Sequence, residues 1–199
     1  MAAFPNIPIC ILAGGTSRRF GSDKALAMLG GKPLLEHVLD RVRQQTSGPI
    51  AINAPLSKGF ERWELPIIPD TLSESIGPLA GILTAMEWAS IQGFESIVTL
   101  AVDLPFAPLD LVSKLAEKGA PAIAITGDRW HPVNGLWRAD SQSALRFFID
   151  NRSRSAHGWA EFCGASRVAF DHESGGIDPF WNVNTPDDLA AAERLAAQT

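Results

Sequence analysis

The chain has few of the features that mark secreted, membrane or nucleic-acid-binding proteins. Its 199 residues include only two cysteines, Cys10 and Cys163, which lie far apart and give no disulfide framework. No apolar run approaches the ~18 residues of a transmembrane helix, and no basic segment precedes the first apolar run, so we expect neither a membrane span nor a secretory signal. The net charge of −5 argues against broad binding to nucleic acids or anionic membranes. Together these absences predict a cytoplasmic protein. Cys10 lies inside a short apolar run, which predicts a buried thiol.

Short apolar runs alternate along the chain with segments of helical periodicity. We predict strands at 7–12, 50–52, 66–68, 96–101 and 122–125, and helices at 33–45, 78–89, 109–117 and 139–149. This alternation predicts an α/β protein with a mostly parallel sheet and functional loops at the carboxyl ends of its strands. The length predicts a single domain over residues 1–199. Residues 150–179 are less regular and are expected to form a lid or an embellishment.

The segment 12–24, LAGGTSRRFGSDK, is the most informative part of the sequence, because it links the first predicted strand to the first helix. It contains three glycines and three cations: Gly14, Gly15, Gly21, Arg18, Arg19 and Lys24. Glycines let the backbone approach a ligand closely and cations attract phosphates, so the combination suits a triphosphate. The segment matches neither the P-loop nor the dinucleotide-binding glycine pattern. The alternative is a glycine-rich surface turn that happens to carry charge.

Acidic and amide side chains in two further segments are candidates for the same site. Asp103 follows the run SIVTLA and can hold Mg²⁺ against phosphate oxygens if its strand neighbours the first one. A carboxylate that caps the next helix is an equally good interpretation. Asn182 and Asn184 precede Thr185 and Pro186, which predict a helix N-terminus. On a strand, the two asparagines would point to one face, toward a ligand or metal.

Other catalytic patterns are missing from the sequence. The four histidines lack zinc-ligand spacing, and neither a G-x-S-x-G motif nor a Cys–His pair in a motif context is present. We interpret the six tryptophans as packing residues and not as a base-stacking platform.

The glycine-rich segment, extended to LAGGTSRRFGSDKAL, resembles the signature of nucleotidyltransferases of the molybdenum cofactor guanylyltransferase type. The resemblance continues in the family's order through GKPLLEHV (31–38), INA (52–54), PD (69–70), GPLAGI (77–82), VDLPF (102–106), HPVNGLW (131–137) and WNVNTPDDL (181–189). It implies a three-layer, Rossmann-like nucleotidyltransferase fold. It also implies a reaction in which Mg²⁺-GTP and molybdenum-bound molybdopterin give molybdopterin guanine dinucleotide and pyrophosphate.

The same resemblance implies roles for individual residues. Arg19 and Lys24 would neutralise the triphosphate, and Asp103 would coordinate Mg²⁺; these three are the implied catalytic residues. The implied GTP-binding residues are Leu12, Ala13, Gly14, Gly15, Lys24, Asn53, Asp70, Gly77 with the segment up to Gly81, and Asp103. The pterin side would hold Asn182, Asn184 and Arg154. The implied partners are GTP, molybdenum-molybdopterin, a molybdenum insertion protein and molybdoenzyme chaperones, with no nucleic acid and no membrane.

Two other functions stay open at this stage. One is a CTP-dependent molybdenum cofactor cytidylyltransferase, although the paired glycines of LAGG and Asp23 resemble the guanylyl branch. The other is a non-catalytic nucleotide-binding domain of the same fold, although both Lys24 and Asp103 are present. Phe20 departs from the family pattern, in which methionine is commoner.

Overall fold

The computed structural model describes residues 4–15, 20, 23–72, 76–171 and 177–196. Its strands are β1 (Ile9–Leu12), β2 (Met28–Leu29), β3 (Lys32–Pro33), β4 (Ile50–Asn53), β5 (Ile67–Ile68), β6 (Ser96–Ala101), β7 (Ala122–Thr126), β8 (Arg129–Arg138) and β9 (Ser166–Ala169). Its α-helices are α1 (Leu34–Val42), α2 (Pro78–Ile91), α3 (Leu111–Lys118), α4 (Gln142–Asn151), α5 (Ala156–Phe162) and α6 (Pro186–Ala196).

A seven-stranded sheet in the order β5-β4-β1-β6-β8-β7-β9 forms the centre of the structure, and β2 and β3 make a separate small hairpin. Within the large sheet, β8 runs antiparallel to both of its neighbours, and the other six strands are parallel to one another. The predicted mostly parallel sheet is therefore confirmed. The predicted strands at 50–52, 96–101 and 122–125 agree with β4, β6 and β7 to within one residue.

Helices cover both faces of this sheet. On one face, α1 and α3 bury their apolar stripes in a cluster that includes Ile11 of β1 and Leu100 of β6. On the other face, α2, α4 and α5 pack over Cys10, Ile97 and Trp137. Cys10 is fully buried, as predicted, and burial raises the pKa of its thiol. The arrangement confirms three layers, helix–sheet–helix.

Strand β8 is absent from the predicted elements, because proline is rare inside strands and Pro132 stands in the middle of it. The structure shows how the strand tolerates this proline. Ile123 of β7 pairs with Gly135, whereas the next residue, Ala124, pairs with His131, so 132–134 bulge out of the ladder. Proline is compatible with such a bulge, since no ladder hydrogen bond is needed there.

The described residues of the segment 150–179, which are 150–171 and 177–179, are more regular than predicted. They contain α5, which buries Trp159 against the sheet, and β9, which pairs parallel with β7. Both elements are short, and Gly158 lies inside the helix, so neither gives a clear periodic pattern. In the described part of the chain, every helix is too short or too polar to cross a lipid bilayer.

Candidate active site

A cleft of about 460 Å³ opens at the carboxyl ends of β1, β4 and β6. The register of the sheet places Leu12 of β1 between Asn53 of β4 and Ala101 of β6. The residues that follow these strands therefore line one cleft, which includes Gly14, Gly15 and Asp103. The expected neighbour relation between the first strand and the strand of Asp103 is confirmed.

The carboxylate of Asp103 forms the centre of a polar cluster in this cleft. Its Oδ2 lies 2.6 Å from the ammonium Nζ of Lys24, and its Oδ1 accepts a hydrogen bond of 3.0 Å from Nδ2 of Asn182. Lys24 also donates to Oδ1 of Asn184 at 2.9 Å. The side chains of Lys24 and Asp103 are only 18% and 11% exposed, so their charges are partly withdrawn from solvent.

The structure excludes a helix-capping role for Asp103. The next helix, α3, begins at Leu111, so Asp103 caps no helix. Asp103 instead faces the cleft, and its backbone oxygen accepts a hydrogen bond from the backbone N–H of Val183 at 2.9 Å. That bond holds the Asn182–Asn184 segment beside the carboxylate.

Asn182 and Asn184 come together for a different reason from the one predicted. They lie in an irregular segment and not on a strand. The predicted helix start is confirmed at α6, where Oγ1 of Thr185 accepts from the N–H of Asp188 at 3.1 Å. The Asp188 carboxylate in turn accepts from the N–H groups of Asn184 and Thr185, so the cap itself fixes the asparagine segment.

On the opposite side of the cleft, Asn53 and Asp70 form a second polar pair. Nδ2 of Asn53 donates to Oδ1 of Asp70 at 2.9 Å and to the backbone oxygen of Ile68 at 3.0 Å. Helix α2 approaches this pair so closely that a Cβ on Gly81 would lie 2.6 Å from Oδ1 of Asn53. Gly77 precedes α2 with a φ of +72°, a conformation that favours glycine.

The bulged half of β8 supplies a third wall of the cleft, for which the sequence predicted no role. Arg129, Trp130 and His131 line it, together with the bulge residues 132–134. Oδ1 of Asn134 accepts from the backbone N–H of Ala101 at 3.0 Å, which ties the bulge to the end of β6. The block HPVNGLW was the available signal for this wall. Trp130 packs against the core, as interpreted from sequence, and also lines the cleft.

His131 is held rigidly in this wall. Its Nε2 shares a hydrogen bond of 2.8 Å with Oγ1 of Thr126, and its ring stacks on Phe180 with centroids 4.4 Å apart. The pKa of His131 is lowered to about 4, chiefly by burial and to a smaller extent by the nearby Arg129, while Asp178 opposes the shift. His131 is therefore a neutral ring at physiological pH.

Two predicted residues are not among the described residues of this cleft. Arg19 lies outside the described residues. Arg154 is not among the described residues that line the cleft, whereas Leu12, Ala13, Gly14, Gly15, Lys24, Asn53, Asp70, Gly77, Gly81, Asp103 and Asn182 all are.

The donor groups of the cleft suit a cation that arrives with a phosphate ligand. Within the described ranges, no group of three or more His, Cys, Asp or Glu side chains could hold a metal ion. Asp103 offers one carboxylate beside two amide side chains. Mg²⁺ typically takes one or two protein carboxylates and completes its coordination with phosphates and waters. The residues present therefore fit a divalent cation shared with a triphosphate.

Parallel strands whose carboxyl ends meet Gly14, Gly15, Lys24 and Asp103 in one cleft define an α/β nucleotide-binding protein. Comparison with known proteins narrows this class. The family model of the MobA-like NTP transferase domain matches residues 9–161. The chain therefore belongs to the MobA-like NTP transferase family and is a nucleotidyltransferase.

Individual relatives agree with this assignment. A molybdenum cofactor guanylyltransferase from Mesorhizobium japonicum is 43% identical, and the alignment covers 93% of each chain. One from Rhizobium leguminosarum bv. trifolii is 42% identical and covers 92% of this chain and 90% of its own. The crystal structure of molybdopterin-guanine dinucleotide biosynthesis protein A from Archaeoglobus fulgidus superposes with a TM-score of 0.71 at 25% identity, covering 97% of this chain and all of the other.

Proposed function

We propose that this protein transfers GMP from GTP to the terminal phosphate of molybdenum-bound molybdopterin. The products are molybdopterin guanine dinucleotide and pyrophosphate. The observation that carries the proposal is the convergence of Lys24, Asp103 and Asn182 in one cleft with Gly14, Gly15 and the Asn53–Asp70 pair. The names of the relatives, which are guanylyltransferases, support the choice of nucleotide.

The nucleoside occupies the side of the cleft formed by Leu12–Gly15, Asn53, Asp70 and Gly77. Gly14 has no side chain, so a planar base can approach the backbone there. The Asp70 carboxylate is held by Asn53 and accepts hydrogen bonds from the N–H or O–H groups of a guanine or ribose. A purine with an exocyclic amino group suits such an acceptor.

The triphosphate lies toward Lys24 and Asp103. The Lys24 ammonium forms an ion pair with Asp103 at 2.6 Å. An incoming triphosphate competes for this ammonium, which releases Asp103 to bind a divalent cation, for which we propose Mg²⁺. Such a cation would neutralise phosphate charge and polarise the α-phosphoryl group. Arg19 is proposed as a further cation for the phosphates.

The transfer needs alignment more than covalent catalysis. A terminal phosphate oxygen of the pterin attacks the α-phosphorus of GTP and forms a P–O bond. The bond from the α-phosphorus to the bridging oxygen breaks, and pyrophosphate leaves with that oxygen. Lys24 stabilises the negative charge on the transferred and leaving groups, and the fixed cleft holds donor and acceptor in line.

The acceptor side is the part of the cleft near Asn182 and Asn184, which donate or accept hydrogen bonds beside Asp103. Arg154 stays a prediction for the pterin side. Exchange with a molybdenum insertion protein and molybdoenzyme chaperones, a cytoplasmic location and a single-domain organisation over residues 1–199 also stay predictions.

Calorimetric titration with GTP, CTP, ATP and UTP, each with and without Mg²⁺, tests the nucleotide assignment. We expect GTP to bind, Mg²⁺ to strengthen its binding, and the other three to bind more weakly. Tighter binding of CTP would assign a cytidylyltransferase with the same cleft. Binding without turnover in the presence of molybdenum-molybdopterin would assign a non-catalytic nucleotide-binding domain.

A further inference from the structure

Lys58 lies outside the set of residues that the sequence connects with the nucleotide, yet its ammonium contacts the backbone of Ala13 and Gly15. It ends a short 3₁₀ turn, Leu56–Lys58, that follows β4. Its Nζ donates to the backbone oxygens of Ala13 at 2.9 Å and Gly15 at 3.1 Å, and lies 3.0 Å from Oδ2 of Asp23. The Lys58 side chain is only 16% exposed, so these contacts replace solvent almost completely.

The three contacts join two parts of the chain that both border the cleft. Ala13 and Gly15 continue from β1, and Asp23 immediately precedes Lys24. The other oxygen of Asp23, Oδ1, accepts from the backbone N–H of Ala25 at 3.1 Å and caps the 3₁₀ turn Lys24–Leu26. Lys58 therefore links the end of β1 to the turn that aims Lys24 at Asp103.

The contacts with the two carbonyl groups also orient the backbone. In a trans peptide, the C=O and N–H groups point to opposite sides. Because the carbonyl oxygen of Ala13 points to Lys58, the N–H of Gly14 points away from it. Lys58 does not border the cleft among the described residues, whereas Gly14 does, so this orientation leaves a backbone donor available for a ligand.

Lys58 also neutralises a negative charge beside the cleft. Asp23 lines the cleft, and a carboxylate there repels a triphosphate. The ammonium of Lys58 neutralises it at 3.0 Å without entering the cleft. Removal of Lys58 would leave Oδ2 of Asp23 and the carbonyl oxygens of Ala13 and Gly15 facing one another without the ammonium that they share.

We propose that Lys58 is a positioning residue for nucleotide binding: it fixes residues 13–15 relative to Lys24 and neutralises Asp23. The inference rests on the proposed nucleotide function of the cleft. Lys58 touches no reacting group, so its removal should change nucleotide affinity more than the rate at saturation.

The test uses Lys58→Met, which keeps the length of the side chain and removes the charge. The matched control is Lys32→Met, because Lys32 is an exposed lysine whose ion pair with Asp40 lies away from the cleft. The double variant Lys58→Met/Asp23→Asn removes the unbalanced carboxylate. Thermal unfolding of each variant checks the fold, and Lys58→Gln replaces Lys58→Met if the latter does not fold.

We expect Lys58→Met to raise the nucleotide Kd and the nucleotide KM about tenfold, with kcat within about threefold of the wild-type value. Lys32→Met should bind like wild type, and Asp23→Asn should restore part of the affinity lost by Lys58→Met. This rescue assigns the lost affinity to the unbalanced charge of Asp23, and the thermal unfolding of each variant shows separately whether stability changed.

Wild-type affinity in a folded Lys58→Met protein, or no rescue by Asp23→Asn, would overturn the inference and leave the proposed function intact. A wild-type protein that binds no nucleotide would overturn the proposed function, and this inference with it.

Discussion

Gly81 is the residue at which the structure predicts the sharpest effect of a single methyl group. It lies inside α2, where alanine is favoured over glycine by about 1 kcal/mol in an ordinary exposed helix. From helix propensity alone, Gly81→Ala would stabilise the protein. The new Cβ, however, would lie 2.6 Å from Oδ1 of Asn53 and 3.1 Å from Cδ2 of Leu12.

The clash with Asn53 determines the sign of the effect. To regain an ordinary contact distance, the Asn53 amide must move by about 0.8 Å. Such a shift breaks or weakens its hydrogen bonds to Asp70 and to the backbone oxygen of Ile68. The loss of a bond to a carboxylate costs about 2 kcal/mol and that of a neutral bond about 1 kcal/mol. After the helix gain of about 1 kcal/mol, we expect Gly81→Ala to destabilise by about 2 kcal/mol.

Urea unfolding of wild-type and variant protein measures this difference in the free energy of unfolding. Nucleotide titration of the folded variant measures the affinity of the cleft for nucleotide. We expect weaker nucleotide binding together with the lower stability, because the displaced Asn53 no longer holds Asp70. Asn53→Ser supplies the control, since a shorter side chain removes the clash. In that background, Gly81→Ala should cost much less stability than it does alone. An unchanged or raised stability in the Gly81→Ala single variant, with wild-type binding, would refute the reasoning.

Three further predictions concern charged and titrating groups. Asp103→Asn should abolish metal-dependent transfer while the fold survives; retained activity with an unchanged metal requirement would place the metal carboxylate elsewhere. Lys24→Ala should lower the transfer rate much more than the free energy of unfolding, and loss of the fold would instead assign Lys24 a structural role. The pKa of His131 is about 4 in the folded protein and 6.5 ordinarily, so the unfolded chain takes up the proton first. The free energy of unfolding should therefore fall by about 2 to 3 kcal/mol as the pH decreases from about 6.5 to about 4. Urea titrations of wild type and His131→Gln check this, because the variant should lack that part of the pH dependence; equal slopes would contradict it.

Much of the sheet was predictable because its strands are local apolar runs. β4, β6 and β7 are covered on both faces, so their sequences are almost continuously apolar and their ends are clear. The parallel order of these strands then brings Gly14 and Asp103 to the same edge. The proximity of Gly14 and Asp103 in the candidate site therefore follows from the parallel arrangement of β1 and β6 alone.

The missed parts depend on contacts between distant residues. Because Pro132 interrupts β8, the local sequence pattern does not predict this strand. Only its pairing with β6 and β7 shows that the strand continues past the proline. Asn182 and Asn184 are aimed by a helix cap and by a backbone bond to Asp103, not by strand alternation. Lys58 acquires its contacts through a turn that brings it back to a loop more than forty residues earlier in the chain.

The central claim is that this cleft transfers a guanylyl group to a pterin phosphate. The most direct test incubates the purified protein with molybdenum-molybdopterin, Mg²⁺ and GTP labelled at the α-phosphate, with CTP labelled in the same way as the competitor. We predict that the label of GTP enters the dinucleotide product and that one pyrophosphate is released for each product molecule. We also predict that the Asp103→Asn protein gives neither. Transfer of the cytidylyl label in preference to the guanylyl label, or equal transfer by the Asp103→Asn protein, would contradict the account.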